Sequence, residues 1–270
     1  MTDPPSFAAP DRHDAWDSGA AYDRYMGRWS RRIARLFLDW LDPPPGLDWL
    51  EIGCGSGALT AAILAGAAPR RLLALEPSAG FLAEARRAAD DPCVAFLQGA
   101  APAPGIASAS RDAVASGLVL NFLPDPLAAL RDMRRILRPG GLLGLYVWDY
   151  PGGGLGFLRA FWTEAVALDP QAAELAEDRR FPDCAPPALE ALVREAGFAG
   201  VASASLETET LFADFEDFWR PFLLGTGPAP GYCASLAAEA RDRLAARLQA
   251  RLGDGPIALP ARAFALRGIA

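Results

Sequence analysis

Lysine is absent from these 270 residues, histidine occurs once and cysteine four times. Each scarcity closes off a class of chemistry. Without lysine, the Tyr-x-x-x-Lys pair of nucleotide-dependent oxidoreductases cannot form. The only histidine, His13, sits in an acidic, proline-rich N-terminal stretch, where it reads as an accident of sequence rather than a mobile base. Cys54, Cys93, Cys184 and Cys233 are scattered, with no CxxC pair, so neither a zinc site nor a disulfide framework is expected. Residues 1–14 carry acids and prolines with no apolar core and do not read as a signal peptide. The longest strongly apolar stretch, 57–68, is too short and too rich in small residues to span a bilayer. Basic runs are missing and the net charge is −7, which argues against a nucleic-acid partner. These absences lead to the expectation of a cytoplasmic protein, monomer or homodimer, that uses no metal, membrane or nucleic acid.

What is present is apolar bulk. Apolar residues make up 51% of the chain, enough for one large α/β domain with insertions. Residues 1–20 have little to bury and are expected to be a disordered tail, with a single domain over 21–270. From 21 to 40, apolar and aromatic residues recur at helical spacing, and Pro43-Pro44-Pro45-Gly46 stops the helix. Strand-like segments at 47–52, 71–76, 93–97, 113–116 and 142–148 alternate with helical ones at 58–68, 79–89 and 126–137. Asp125 is the expected N-cap of the last of these helices. This rhythm predicts a doubly wound, mostly parallel sheet covered on both faces. Beyond 150 the alternation breaks. Helices are expected at 156–168 and 188–196, strands at 201–211 and 257–266, and a leucine-striped helix around Leu236, Leu244, Leu248 and Leu252. The stretches 150–187 and 212–253 read as helical, aromatic-rich cap insertions.

The most informative segment is Leu50-Glu51-Ile52-Gly53-Cys54-Gly55-Ser56-Gly57, a strand running into three glycines and then a helix. Glycine permits positive φ and lets a ligand touch the backbone, and the helix behind offers unpaired N–H groups. Gly53, Gly55 and Ala58 also satisfy the dinucleotide pattern G-x-G-x-x-G/A. Glu51 shifts the balance, because a carboxylate there would repel a pyrophosphate and suit a ligand carrying ammonium and sulfonium charges. Glu76, ending the next strand, is placed to accept hydrogen bonds from ribose hydroxyls. Cys54 reads as a small residue in a tight turn.

Together these segments resemble the class I S-adenosylmethionine (SAM)-dependent methyltransferases of the type 11 kind. Glu51–Gly57 resembles their first motif and Leu73-Ala74-Leu75-Glu76-Pro77-Ser78 their second. Arg138-Pro139-Gly140-Gly141-Leu142-Leu143 is similar to their late turn before the fifth strand, and Tyr22–Trp29 to the segment that closes over SAM. The resemblance covers about 20–150, with 260–268 compatible with a final antiparallel hairpin strand. It implies a Rossmann-like seven-stranded sheet, SAM as cofactor and a small-molecule acceptor. The implied cofactor-binding residues are Tyr22, Arg28, Glu51, Gly53, Cys54, Gly55, Gly57, Glu76, Pro77, Ser78, Gln98, Gly99, Ala100, Gly117 and Leu118. The family's Asp after the third strand is missing: the run is Gln98-Gly99-Ala100-Ala101, so Gln98 or a backbone carbonyl takes the adenine contact.

Methyl transfer requires the acceptor atom about 3–3.5 Å from the methyl, in line with the breaking bond. The sheet's carboxyl edge should hold that site. Asn121 and Asp149 lie after strands four and five and are the candidate catalytic residues, Asp149 as base or orienting acid. Tyr25 joins Tyr22 as a candidate cover. Phe157, Phe161, Trp162, Phe215, Phe218, Trp219 and Phe222 either line an apolar acceptor pocket or, as their helical spacing favours, pack the core of the cap. Three alternatives stay open: a non-catalytic SAM-binding protein, an NAD(P)-dependent oxidoreductase and nucleic-acid methylation. Against the last, the Asp42-Pro43-Pro44-Pro45 run precedes the glycine bend and lacks an aromatic to stack a flipped base.

Overall fold

In the helix Arg28–Leu41 (α1), residues 29, 33, 34, 37, 38 and 41 are buried and apolar, so they form one apolar face. The helix enters through a π-helical turn, Asp23–Gly27, and ends at Asp42 in a left-handed conformation. This computed structural model describes residues 22–225 and 227–270. The expected tail over 1–20, with His13, lies outside the described residues.

The next elements alternate as the hydrophobic pattern predicts: Asp48–Ile52 (β1), Ala58–Gly66 (α2), Arg71–Glu76 (β2), Ala79–Ala88 (α3), Val94–Gln98 (β3) and Arg111–Gly117 (β4). After a 3-10 turn at Leu120–Phe122 come Pro126–Ile136 (α4) and Leu137–Trp148 (β5). Two helices start on side-chain caps, of which the Asp125 cap is the expected one. Ser78 Oγ accepts from Phe81 N at the start of α3, and Asp125 Oδ1 accepts from Ala128 N at 2.8 Å ahead of Pro126. Strand β5 begins earlier than expected. Gly140 N donates to the carbonyl of Ala270 and Gly141 accepts from Ala270 N, while Gly140 takes a positive φ of 79°, so the expected bend is kept and tied to the last residue of the chain.

The second half adds Gly156–Leu168 (α5), a 3-10 turn at Pro170–Leu175, Glu177–Arg180 (α6), Pro186–Glu195 (α7) and Ala199–Phe212 (β6). Phe215–Trp219 (α8) follows, continued by a 3-10 turn at Arg220–Leu224. Pro228–Ser235 (α9), Ala238–Leu252 (α10) and Ile257–Ile269 (β7) complete it.

The seven strands form one sheet in the order β3-β2-β1-β4-β5-β7-β6. Strands β1 to β5 are parallel, while β7 runs antiparallel to both its neighbours. The fold is the expected Rossmann-like, mostly parallel sheet. From β1 the chain winds outward to β2 and β3, then returns to β4 on the other side of β1. The carboxyl ends of β1 and β4 are therefore the switch point where a crevice opens.

The amino end of the sheet is closed by charge. Asp48 accepts from both Arg70 and Arg71, and Asp112 accepts from the backbone N–H of Asp48 at 2.9 Å and pairs with Arg138. Asp112 thus has a structural role. The cap elements pack around stacked Phe161 and Phe222, whose ring centroids are 4.5 Å apart. Phe157, Phe218 and Phe222 are among the most deeply buried side chains in the protein. Glu164 ties α5 to α10 through Arg247 and Arg251.

Candidate active site

At the switch point the chain leaves β1 and turns through Gly53, Gly55 and Gly57, each at positive φ (72°, 53° and 91°). The backbone N–H groups of Gly53 and Cys54 both donate to the carbonyl of Leu75, which ties the bend to the end of β2. The three glycines serve different ends. A Cβ on Gly53 would collide with the side chain of Val119, and one on Gly57 would press on the backbone of Ala85 at 3.3 Å. Those two positions are glycine because the protein itself fills the space. At Gly55 a Cβ would meet only the Phe81 ring, at 4.0 Å. Here the backbone is bare toward a cavity of about 320 Å³.

Two carboxylates frame that bend. Glu51 is 1% exposed, yet it borders the cavity. Thr60 Oγ1 donates to its Oε2 at 2.6 Å, while Oε1 has no hydrogen-bond partner among the described residues. Burial pushes its carboxyl up to about 7, against the lowering effect of the Thr60 bond. Glu76 accepts from Gly55 N at 3.0 Å and Ser78 N at 2.9 Å, so it both closes the loop and presents its carboxylate to the cavity. Burial raises Glu76 above the usual range, and those two N–H groups oppose the rise. The same burial and both carboxylates drive the Cys54 thiol upward, which keeps it protonated and unreactive.

The entry segment supplies the cover. Tyr22, Tyr25, Met26 and Ser30 border the cavity. Tyr22 sets its ring edge against Phe81, with centroids 5.4 Å apart, and shares a hydrogen bond of 2.9 Å with Ser30. Gly117, Leu118 and Val119 form the wall after β4. Gly117 is glycine because Tyr146 occupies the place of a side chain. The same cavity is also bordered by Phe122, Trp148, Tyr150, Leu158 and Phe181, and by Glu177.

The expected residues divide by position. Tyr22, Tyr25, Glu51, Gly53, Cys54, Gly55, Glu76, Pro77, Ser78, Gly117 and Leu118 all border this one cavity. Arg28 does not: its guanidinium pairs with Asp217 at 3.0 Å and lies over Trp29 and Phe212. Gly57 packs on α3 instead. Gln98 is exposed and donates to the carbonyl of Pro77 at 2.9 Å, and neither it nor Gly99 or Ala100 borders the cavity. Asp149, a candidate base, is 1% exposed and held by Arg262 at 2.5 Å and by the N–H of Gly152 at 2.8 Å, away from this cavity. Asn121 is buried just behind the wall, and neither atom of its amide finds a partner among the described residues. The cap aromatics border none of this cavity, so their helical spacing marks core packing.

Sequence reasoning missed Phe81, Phe181 and Glu177. Phe81 had a signal, since it lies three residues past the Ser78 cap. Glu177 had none: Glu177-Asp178-Arg179-Arg180 reads as a solvated charge run, yet its first residue is 6% exposed and accepts from Trp162 Nε1 at 2.5 Å.

A bare backbone bend, a buried acid with an oxygen to spare and a second acid at the next strand suit a ligand with a cationic head and a diol. Comparison with known proteins agrees. The family profile described as methyltransferase domain matches residues 50–145. The 2-phytyl-1,4-naphtoquinone methyltransferase of Thermosynechococcus vestitus is 32% identical over 180 residues, covering 62% of this chain and 79% of that protein. The nocamycin O-methyltransferase of Saccharothrix syringae is 32% identical over 197 residues, covering 67% and 69%. The chain also spans 41% of the length of an uncharacterized 37.1 kDa transposon protein of Streptomyces fradiae. In fold, the chain is similar to a Haemonchus contortus phosphoethanolamine N-methyltransferase solved with S-adenosylhomocysteine. The TM-score is 0.55 at 17% identity, over 93% of this chain and 56% of that one.

Proposed function

The chain belongs to the class I SAM-dependent methyltransferases, enzymes that here act on small-molecule acceptors, and we propose that its acceptor is a largely apolar metabolite held at the aromatic end of the cavity. One observation carries the reading: a single cavity is bordered both by Gly55, Glu51 and Glu76 and by Phe122, Tyr150 and Phe181.

The residues fit the cofactor. Glu51 borders the cavity and its buried Oε1 has no partner among the described residues, so a ligand ammonium there would compensate its charge. Glu76 has its two oxygens oriented by Gly55 and Ser78, as an acceptor for vicinal hydroxyls requires. The open side of Gly55 accommodates a ligand where its two sister glycines do not. When bound, SAM supplies an electrophilic methyl group on a sulfonium. The chain's own part is to hold that charge at Glu51, to exclude water with Tyr22, Tyr25 and Met26, and to position the acceptor between aromatic faces. Pro77, Ser78 and Phe81, rather than Gln98, Gly99 and Ala100, are our choice for the adenine end. Asn121 is a positioning residue behind the Val119 wall.

We read residues 21–270 as one catalytic domain with caps near 150–187 and 212–253. The four cysteines are free, which fits a reducing cytoplasm. Among the described residues no helix is long and apolar enough to cross a membrane.

Thermal unfolding with SAM, S-adenosylhomocysteine or NADH tests the cofactor end: the first two raise the midpoint and NADH does not. Transfer of a radiolabelled methyl group to a panel of hydroxynaphthalenes, compared with small polar acceptors, tests the other end. Labelling of the polar set alone refutes an apolar acceptor.

A further inference from the structure

A second cavity, of about 560 Å³, adjoins the first and has no part in the cofactor site described above. Among the described residues, neither the glycine bend nor Glu51 or Glu76 borders it. It lies between the turn after β5, one stripe of α5 and the segment that runs from the 3-10 turn Pro170–Leu175 into α6. Tyr150, Leu158 and Glu177 border both cavities, so these three residues stand between them.

The α5 wall has a regular composition. Leu155, Leu158, Arg159, Trp162, Thr163 and Val166 recur at steps of three and four, which places them on one side of the helix. Four of the six are apolar. Several polar side chains of the lining are engaged within the protein: Asp149 with Arg262, Thr163 with the carbonyl of Arg159 at 2.7 Å, Arg179 with Glu174 at 3.1 Å, and Glu177 with Trp162. The surface left for a ligand is chiefly the apolar stripe, together with Pro151, Ala173 and Ala176.

Methyl transfer needs cofactor and acceptor in place together. A pocket for one drug-sized ligand runs from about 300 to 1,000 Å³. The first cavity, at about 320 Å³, has the size for one small ligand and has to admit two. Gly55, Glu51 and Glu76 fix the cofactor there, so the acceptor is the molecule that must reach outside. The adjoining cavity supplies the room.

We propose that the second cavity is the subsite for the unreactive part of the acceptor. The reactive atom enters the first cavity, while an apolar chain extends past Tyr150 and Leu158 onto the α5 stripe. The acceptor is then an elongated, largely apolar molecule, and Leu158 and Trp162 are specificity determinants that select it by length. The proposal rests on the methyltransferase reading above.

The test uses the full chain saturated with S-adenosylhomocysteine and a series of 4-alkylphenols whose chains run from methyl to octyl. Calorimetry is expected to show affinity rising about three- to fourfold per methylene, then levelling as the chain fills the cavity. Ala173→Trp and Thr163→Trp each add bulk at the border of the second cavity and lie outside the first. Thr163 is exposed, so its variant spares the core. Both variants should hold the longer phenols at the affinity of the methyl member and leave the affinity for S-adenosylhomocysteine within about twofold. Fluorescence reads the location, because Trp148 borders the first cavity and not the second, and Trp162 the second and not the first. A bromine at the end of the octyl chain should quench an emission component that Trp162→Phe removes and Trp148→Phe keeps. Affinity that does not rise with chain length, no binding of any member, or a gain that survives in both tryptophan-insertion variants overturns the proposal. So does tighter binding of a chain ending in a hydroxyl than of the plain alkyl chain, or quenching that is lost with Trp148 and not with Trp162. Failure of the wild-type chain to bind S-adenosylhomocysteine would instead overturn the methyltransferase reading, so the two failures are distinct.

Discussion

The hydroxyl of Thr60 donates to Glu51 at 2.6 Å and satisfies one oxygen of a carboxyl group whose other oxygen is buried without a partner among the described residues, on a residue that borders the cavity. Burial outweighs that bond and lifts the Glu51 carboxyl to about 7. The folded chain therefore holds this proton more tightly than the unfolded chain, in which Glu51 titrates near 4.5. Stability from this group is complete below about pH 4.5, declines through the window and is lost above about pH 7, a cost on the order of 3 kcal/mol. A ligand ammonium favours the ionised form, so cofactor affinity runs the other way. Binding of S-adenosylhomocysteine should be about tenfold or more tighter at pH 8 than at pH 5.5. Glu51→Gln should flatten both profiles, and calorimetry across that range, with thermal unfolding of the ligand-free protein, reads them. A pH-independent wild-type affinity contradicts the role given to Glu51.

Gly55 and Glu76 meet through one hydrogen bond of 3.0 Å, and their substitutions should separate. Gly55→Arg forces a side chain into the open side of the bend at a φ of 53°, a strain of about 1–2 kcal/mol, and fills the space a ligand needs. SAM binding should fall by more than about a hundredfold, with a loss of a few degrees in melting temperature. Glu76→Ala removes the acceptor for both Gly55 N and Ser78 N, so it should loosen the loop as well as weaken binding by about tenfold or more. Glu76→Gln keeps an acceptor but must donate at the other position, and it should fall between wild type and alanine. Unchanged affinity in both Gly55→Arg and Glu76→Ala would refute the site.

Much of this was legible in the chain, for stated reasons. The parallel core is written in buried runs such as Leu47–Ile52 and in glycines that only a tight strand-to-helix bend requires. Glu51 and Glu76 were readable because their positions are fixed by that bend, within a few residues of it. Legibility fails where function depends on what packs from far along the chain. Arg28 looked available until Asp217, brought in by the cap, claimed it. Glu177 looked solvated because the four residues of α6 carry only charge, and no local pattern tells that Trp162 will cover it. Gln98 was expected, as one of two choices, to replace a missing family carboxylate, yet β3 is an edge strand and its Gln98 side chain donates to the carbonyl of Pro77. The cap aromatics had a local period and packed accordingly.

Asp149 has a structural task that predicts its variant. Its carboxylate takes Arg262 Nε at 2.7 Å and Gly152 N at 2.8 Å, joining the end of β5 to β7 and shaping the Pro151–Gly154 turn. The group is 1% exposed, whereas the Arg262 side chain is 38% exposed and can turn to water. Asp149→Asn should lower stability by about 1–3 kcal/mol and change cofactor affinity by less than about twofold. Wild-type stability combined with loss of methyl transfer would instead make Asp149 a catalytic base.

Asp48 starts the same strand that Glu51 and Ile52 end, and it should control stability without touching the site. The Arg70 and Arg71 guanidinium groups, at 2.6 and 2.7 Å, hold its carboxyl well below the usual carboxylate range. A depressed carboxyl stabilises the fold above the unfolded value near 4, and that contribution disappears as the pH falls below it. Both arginines are more than half exposed, so water takes them up when the acid is removed and screening trims the ion-pair energy. Asp48→Asn should therefore cost about 1–2 kcal/mol at neutral pH, less than the loss of a fully buried pair. The difference from wild type should shrink steadily below about pH 4, as the wild-type acid protonates too. Affinity for S-adenosylhomocysteine should not move, because Asp48 lies at the amino end of the sheet and the glycine bend at the carboxyl end. Urea unfolding at several pH values, with calorimetry on the same variant, distinguishes this from a coupled strand. An affinity loss that tracks the stability loss would mean that β1 transmits strain along its length, and that the two ends of this strand are not energetically separate.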